Sequence, residues 1–192
     1  MHAKGIQFAT ITHAAGISST GDAKLDLRLP FDEPYDVPET TAAAIRQTQA
    51  RRGRVIAVGT TVVRALEHAA RDGEVRSGDG IATQRVGAGT RLRLVNAILS
   101  GTHETWTSHY ELLRAFTFDT TLRRAANELE AAGYRTHEFG DSVLIEQMAP
   151  EDLSVERFPQ ALERGSWPLS RGGSNELRIR AIGGGGCSAL AT

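Results

Sequence analysis

A buried strand that ends in Gly59-Thr60-Thr61 is the segment of this sequence best suited to chemistry. The run Arg54–Val58 is short and continuously apolar, and the residues after the turn follow a helical pattern. Such a turn places backbone N–H groups and two hydroxyls at a helix N-terminus, where a carboxylate or phosphate is favoured. Arg64 lies one turn into that helix and is a candidate for a forked contact to the same ligand. The alternative is a capped helix after a core strand, with Arg64 in solvent.

A second polar segment runs from His103 to His109. Its histidines are six residues apart, roughly 240° around a helix, so the segment does not form a zinc-protease site, and we expect no metal. Thr107 and Ser108 precede a helix and suit a ligand-binding turn. The alternative is an ordinary helix cap by Thr107 or Ser108, with His109 on the surface. We expect the turn after Val58 and the bend around His103 to form two walls of one pocket.

His13 follows an apparently buried strand, Gly5–Thr12, and precedes a glycine loop. Ligands gather at strand ends in α/β sheets, which makes His13 a further candidate, although a structural histidine is the commoner outcome. The turn Gly87–Thr90 is a weak phosphate-loop signal and is more typical of a hairpin. Six arginines near these segments form either a basic track or scattered solvated side chains: Arg51, Arg52, Arg54, Arg85, Arg91 and Arg93.

The elements that position these residues alternate as in α/β proteins. The apolar patterns predict the following elements: strands over 5–12, 25–29, 54–58, 81–86, 92–95 and 141–147, and helices over 38–52, 60–70, 108–116 and 119–132. Gly133 is expected to end the last helix as a C′ glycine. We predict an incomplete α/β domain over 1–150 and a glycine-rich, low-complexity, disordered tail over 151–192.

The composition narrows the class of protein. The 192 residues include 22 basic and 23 acidic side chains, which argues against coating nucleic acid by bulk charge. A single cysteine, Cys187, excludes an internal disulfide and a cysteine-based metal cage. No apolar run is long enough to cross a bilayer, and no secretory signal is visible at the start, so a cytoplasmic protein without membrane contact is expected.

Taken in order, five segments resemble the S-adenosylmethionine:tRNA ribosyltransferase-isomerase family of queuosine synthesis. The most specific is Arg54–Glu67, which matches the family run R-V-I-A-V-G-T-T-x-V-R-x-L-E throughout. The others match the family patterns L-H-V-G-A-G-T, S-E-Y-x-E-V-P-E-E-T-A, F-H-L-P-K-S-T-L-L and Y-R-F-F-S-Y-G-D-A-M-L-I, and they lie in this chain at 11–16, 32–42, 102–110 and 134–145. The lysine and proline of the fourth pattern are replaced by Trp106 and Thr105, and a family histidine falls on Phe31.

The resemblance implies a partial, mixed or parallel sheet with flanking helices, from a divergent, truncated C-terminal portion that lacks the family's β-barrel domain. It implies transfer and isomerisation of the ribosyl moiety of S-adenosylmethionine, a substrate rather than a cofactor, to 7-aminomethyl-7-deazaguanine in tRNA. A monomer is expected, and no separate cofactor. The catalytic candidates are His103 and His13, and the substrate-binding candidates are Gly59, Thr60, Thr61, Arg64, Thr107 and Ser108. Trp106 or Glu104 is a candidate to face the sulfonium. The alternative is an inactive remnant with at most weak nucleoside binding.

Overall fold

A computed structural model describes residues 6–17, 20–26, 28–101, 103, 107–135, 141–148 and 179–182. The elements in chain order are β1 (Thr12–His13), α1 (Ala23–Asp26), β2 (Glu33–Val37), α2 (Glu39–Ala50), β3 (Ile56–Val58), α3 (Thr60–Ala69), β4 (Gly78–Ala82), β5 (Ala97–Gly101), α4 (Ser108–Leu113), α5 (Asp119–Ala131), β6 (Ser142–Glu146) and β7 (Ile179–Ile182). Helices and strands alternate along the chain, which confirms the α/β class.

The strands form two small sheets. The first has the order β1-β2-β4 and is antiparallel. The second has the order β3-β5-β6-β7; β3 runs parallel to β5, and the remaining pairs are antiparallel. The sequence predicts one partial mixed or parallel sheet, and the structure divides the strands between an antiparallel sheet and a mixed one.

Helix α3 connects the two sheets, since it contacts strands of both. Its apolar side chains Val63, Ala65 and Leu66 are buried in the core. One residue, Gly59, joins β3 to α3 with a φ of +94°, a conformation that side-chain-bearing residues rarely adopt. The Gly59 N–H donates to the Leu99 carbonyl at 2.9 Å, which fixes the start of α3 at the carboxyl end of β3 and β5.

The expected buried strand at 5–12 is wrong. Only Thr12 and His13 pair with β2, and Ile6 and Phe8 are 47% and 63% exposed. The apolar run fails to become a strand because β2 pairs only with Thr12 and His13, and residues 6–10 are exposed, with Thr10 tied to α2 by the Thr41 hydroxyl, which donates to its carbonyl at 2.6 Å. Gly5 lies outside the described residues.

The expected strand at 25–29 is also wrong, because local hydrogen bonds form helix α1 there. The Asp22 carboxylate accepts from the Lys24 N–H at 2.8 Å, and Thr20 donates to the Asp26 carboxylate. Capping by a short polar side chain outweighs the period-two alternation of the leucines. Leu27 lies outside the described residues.

The segments expected as strands around the Gly87–Thr90 turn are displaced. Strand β4 ends at Ala82 and β5 begins at Ala97, and the two lie in different sheets, so the hairpin is wrong. The buried Glu67 carboxylate of α3 instead accepts the N–H groups of Arg93, Leu94 and Val95, at 2.9, 3.0 and 2.8 Å. With those donors satisfied by a side chain, the segment needs no partner strand.

The other predicted elements are confirmed: α2, β3, α3, α4, α5 and β6. Gly133 follows the last helix with a φ of +79°, as expected for a C′ glycine. Within the predicted tail, residues 179–182 form β7 beside β6, while the rest of 151–192 lies outside the described residues. Disorder of the tail stays a prediction. None of the helices in the described part of the chain has the length and apolar character needed to span a bilayer.

Candidate functional site

A shallow cleft lies between the start of α3 and the start of α4; its enclosed volume is about 20 Å³, and the space reaches about 350 Å³ only when the open mouth is counted. The residues around it come from five parts of the chain, namely Gly16, Ile17, Pro30, Glu33, Thr60, Thr61, Arg64, Val86, Ser108, His109 and Leu112. The structure therefore brings the first turns of α3 and α4 to one cavity, whereas His103 and Thr107, which precede α4, are not among the residues that line it.

The first wall is the N-terminus of α3. Thr60 and Thr61 line the cleft, and the capping position, Gly59, has no side chain to accept the first N–H groups of the helix. Those donors, the helix dipole and two hydroxyls favour a negatively charged or carbonyl-bearing group at this wall. This is the geometry that the sequence predicts for Gly59-Thr60-Thr61.

Glu33 is a cleft residue that the sequence reasoning missed. Its carboxylate accepts from the Gly16 N–H at 2.9 Å and from the Thr61 hydroxyl at 3.4 Å, and it lies 2.7 Å from the Arg64 guanidinium. Glu33 thus joins the loop after β1 to helix α3. The sequence contains a pattern that predicts the burial of Glu33, because Glu33, Tyr35 and Val37 alternate on the buried face of β2.

Arg64 lies in the cleft floor with its guanidinium engaged by the chain itself. Its side chain is 3% exposed and pairs with Glu33. It also donates to the carbonyl oxygens of Phe31 and Ala82, both at 2.9 Å, and of Gln84 at 3.3 Å. The solvated alternative is wrong, since Arg64 is buried. In this arrangement a ligand reaches the guanidinium only by displacing one of these partners, so Arg64 orients the walls of the cleft.

The second wall is the first turn of α4. Thr107 caps this helix, because its hydroxyl accepts from the Tyr110 N–H at 3.1 Å. The ordinary cap that was the alternative for this segment is thus present at Thr107, but its surface His109 is not, because His109 is partly buried and lines the cleft with Ser108. His109 is not among the predicted site residues, because its spacing to His103 excludes a zinc site. Its position one helical turn from buried Leu112 was the signal that it faces inward.

His103 lies behind the second wall rather than in it. Its Nε2 atom is 2.9 Å from the Ser100 hydroxyl, and its ring meets that of His109 edge-on with the centroids 4.7 Å apart. Burial, followed by the charge of His109, lowers the pKa of His103 to about 4. His103 is therefore neutral at pH 7, but it is not among the residues that line the cleft.

His13 is exposed in β1, opposite Tyr35 of β2, and the cleft reaches this part of the chain only at Gly16 and Ile17. Neither His13 nor His103 is therefore among the residues that line the cleft. Glu104 and Trp106 lie outside the described residues.

Three of the six arginines are engaged by the chain itself, and the basic track stays a prediction. Arg54 pairs with Glu146 at 2.5 Å, Arg93 donates to the Arg71 carbonyl, and Arg85 donates to the Arg28 carbonyl at 2.5 Å. No three histidine, cysteine or acidic side chains converge as metal ligands in the part of the chain that the structure describes.

The chain is similar to a known protein family in sequence and in structure. Residues 1–145 match the family model described as queuosine biosynthesis protein. The S-adenosylmethionine:tRNA ribosyltransferase-isomerase of Citrifermentans bemidjiense is 34% identical over 74% of this chain and 42% of its own. That of Sorangium cellulosum is 36% identical over 76% and 40%. The crystal structure of the S-adenosylmethionine tRNA ribosyltransferase from Thermotoga maritima matches with a TM-score of 0.59 and 28% identity, over 75% of this chain and 46% of that one. The chain spans less than half the length of these relatives.

Proposed function

Since this chain belongs to the queuosine biosynthesis protein family, we propose that its cleft binds S-adenosylmethionine and takes part in transfer of the ribosyl moiety to tRNA. The product in this proposal is epoxyqueuosine, formed from 7-aminomethyl-7-deazaguanine by transfer and isomerisation. One observation carries the proposal: the segment most specific to the family, at 54–67, and the end of a second family segment, at 102–110, both line one cleft.

The α3 wall suits the methionine carboxylate of the substrate. The first N–H groups of the helix and the hydroxyls of Thr60 and Thr61 are donors to an anion at the point where the helix dipole is positive. Ser108 adds a hydroxyl from the opposite wall. Gly59 contributes through its backbone, because its positive φ turns the chain sharply enough to leave this end of α3 open.

The sulfonium of the substrate needs a partner that tolerates a cation. Glu33 is the single carboxylate among the described residues that line the cleft, and its charge is offset by Arg64. Glu33 and Arg64 together carry no net charge, so the pair neither repels the sulfonium nor binds it tightly. Glu104 and Trp106, the candidates to face the sulfonium, lie outside the described residues, so that expectation stays a prediction.

The reaction begins with loss of a proton from the carbon beside the sulfonium, which acidifies it. The C–H bond breaks, the electron pair stays on carbon, and the proton passes to a base within hydrogen-bond reach. His103 has the correct neutral form at pH 7, and its contact with His109 brings it to the back of the cleft wall. The roles of His103 and His13 as bases stay predictions, because neither ring lines the cleft.

The second substrate is a tRNA whose deazaguanine must leave its stack to reach a cleft of this size. Arg28 and Arg85, which are exposed and hydrogen-bonded to each other near Pro30 and Val86 of the cleft, are suited to contact phosphates at its mouth.

Calorimetry with S-adenosylmethionine tests the binding, and adenine release with tRNA tests the transfer. We expect saturable heat from the wild-type chain. Thr60→Val should weaken the affinity about tenfold, because it removes a hydroxyl donor from the α3 wall at nearly constant volume. Thr120→Val, on the exposed side of α5, is the matched control and should leave the affinity unchanged.

The same measurements decide between the proposal and the inactive alternative. Binding without adenine release would leave a nucleoside-binding remnant. No heat with the wild-type chain would contradict the proposed function.

A further inference from the structure

The described lining of the cleft includes apolar residues that the carboxylate-binding wall does not use. They are Pro30, Val86 and Leu112, together with Ile17, which is 57% exposed. Val86 and Leu112 are buried, so they form a fixed surface rather than a mobile one. A flat ligand group without charge fits such a surface better than an ionic one.

His109 adds an aromatic ring to these residues. It is on α4 three residues before Leu112, so the two side chains share one face of the helix. The family pattern for this segment has leucine at the place of His109, so the ring is a departure from that pattern.

The position of the His109 ring is fixed by its contact with His103, which in turn contacts Ser100. His103 meets it edge-on at 4.7 Å between centroids, and the Ser100 hydroxyl lies 2.9 Å from Nε2 of His103. Ser100 belongs to β5, so the arrangement of the two rings is anchored to the sheet. A held ring loses little freedom when a second ring packs on it, which favours stacking.

We propose that His109, Val86, Leu112 and Pro30 form a nucleobase subsite, in which the imidazole of His109 packs against a purine. The inference rests on the proposed function, and it assigns the two halves of the substrate to opposite parts of the cleft. The amino-acid half lies at Thr60 and Thr61, and the adenine lies between α4 and the 86–90 loop.

The two halves are available as separate probes, adenosine and methionine. In NMR titrations His109→Ala should weaken adenosine binding about tenfold, since a stacked base typically contributes on that scale, and should change methionine binding less than twofold. His109→Phe restores a ring without ring nitrogens and should keep adenosine binding within about threefold of wild type. Asn127→Ala, which removes an exposed side chain of α5 that does not line the cleft, is the matched control and should change neither affinity.

The outcomes separate this inference from the proposed function. If the wild type binds S-adenosylmethionine and His109→Ala leaves adenosine affinity unchanged, or weakens both probes equally, the subsite is wrong and the proposed function stands. If the wild type binds none of the three compounds, both fail. Because His109 lies in the first turn of a helix, alanine is compatible with folding, and a circular dichroism spectrum matching wild type verifies this.

Discussion

Glu33 and Arg64 form a buried ion pair that holds the walls of the cleft in position. The pair is almost fully buried, and its members hold the loop containing Gly16, helix α3 and the carbonyls of three residues. Burying two charges is costly, and the cost is offset only when partners satisfy both groups. We infer that the pair is a positioning device for the cleft walls, and that its removal acts on stability before it acts on any ligand.

Glu33→Gln tests this positioning role. The amide retains the shape of the side chain and an acceptor for the Gly16 N–H, but it leaves the buried Arg64 without a compensating charge. We expect the free energy of unfolding in urea to fall by about 3 kcal/mol.

Glu39→Gln provides the control, because Glu39 pairs with Arg46 at an exposed position on α2. That variant should lose less than about 1 kcal/mol. Equal small losses in both variants would show that the buried pair does not hold the walls together.

At the scale of elements, the sequence predicted the segments whose structure depends on local pattern. Helices α2, α3, α4 and α5 and strands β3 and β6 follow from apolar periodicity and turn residues, and Gly59 and Gly133 lie where such glycines are needed. The three failures have two causes. Residues 6–10 find no partner strand and 92–95 are held by Glu67 of α3, and both depend on contacts between elements that spacing does not reveal. Residues 23–26 are capped locally by Asp22, a signal that the alternation of the leucines outweighed in the prediction.

The same limit applies to the candidate site. Thr60, Thr61, Arg64 and Ser108 line one cleft, as the motifs suggest, whereas Gly59 and Thr107 do not line it. The sequence indicates that Glu33 and His109 face inward, but not that they meet in this cleft. Spacing identifies residues that share an element, and it does not identify those that meet across elements.

Glu67 gives a prediction about an element. One carboxylate satisfies the N–H groups of Arg93, Leu94 and Val95, and an amide in its place has one accepting oxygen and a donor that faces these N–H groups. Glu67→Gln should therefore lower the free energy of unfolding by about 2–3 kcal/mol. Hydrogen exchange at the Leu94 and Val95 amides should become faster by at least about tenfold.

Glu128→Gln, on the exposed face of α5, is the matched control and should leave both measurements unchanged. Unaltered exchange at Leu94 and Val95 in the Glu67 variant would mean that the segment is held by its apolar side chains alone.

For the molecule as a whole, α3 packs against both sheets, and the cleft lies at its N-terminus beside α4. Two histidines, His68 in α3 and His103 before α4, have a pKa below the ordinary histidine value. Burial and the charge of His109 lower the pKa of His103 to about 4, and burial followed by the charge of Arg71 lowers that of His68. The unfolded chain takes up protons at these positions near the ordinary histidine pKa, so acid favours unfolding before most carboxylates titrate.

The pH dependence of stability follows from this difference. Between pH 6.5 and 4 the unfolded state binds more protons at His103 than the folded state does, so the free energy of unfolding falls as the pH falls, by about 3 kcal/mol for the shift of His103. Asp119, whose pKa is lowered chiefly by its hydrogen bond with Arg123, adds its effect only at lower pH. Urea unfolding across this range should show the fall in wild type and in His13→Asn, and a much shallower fall in His103→Asn, with the remaining slope due to His68. A slope that survives unchanged in His103→Asn would mean that the ring is not held neutral by its burial behind the cleft.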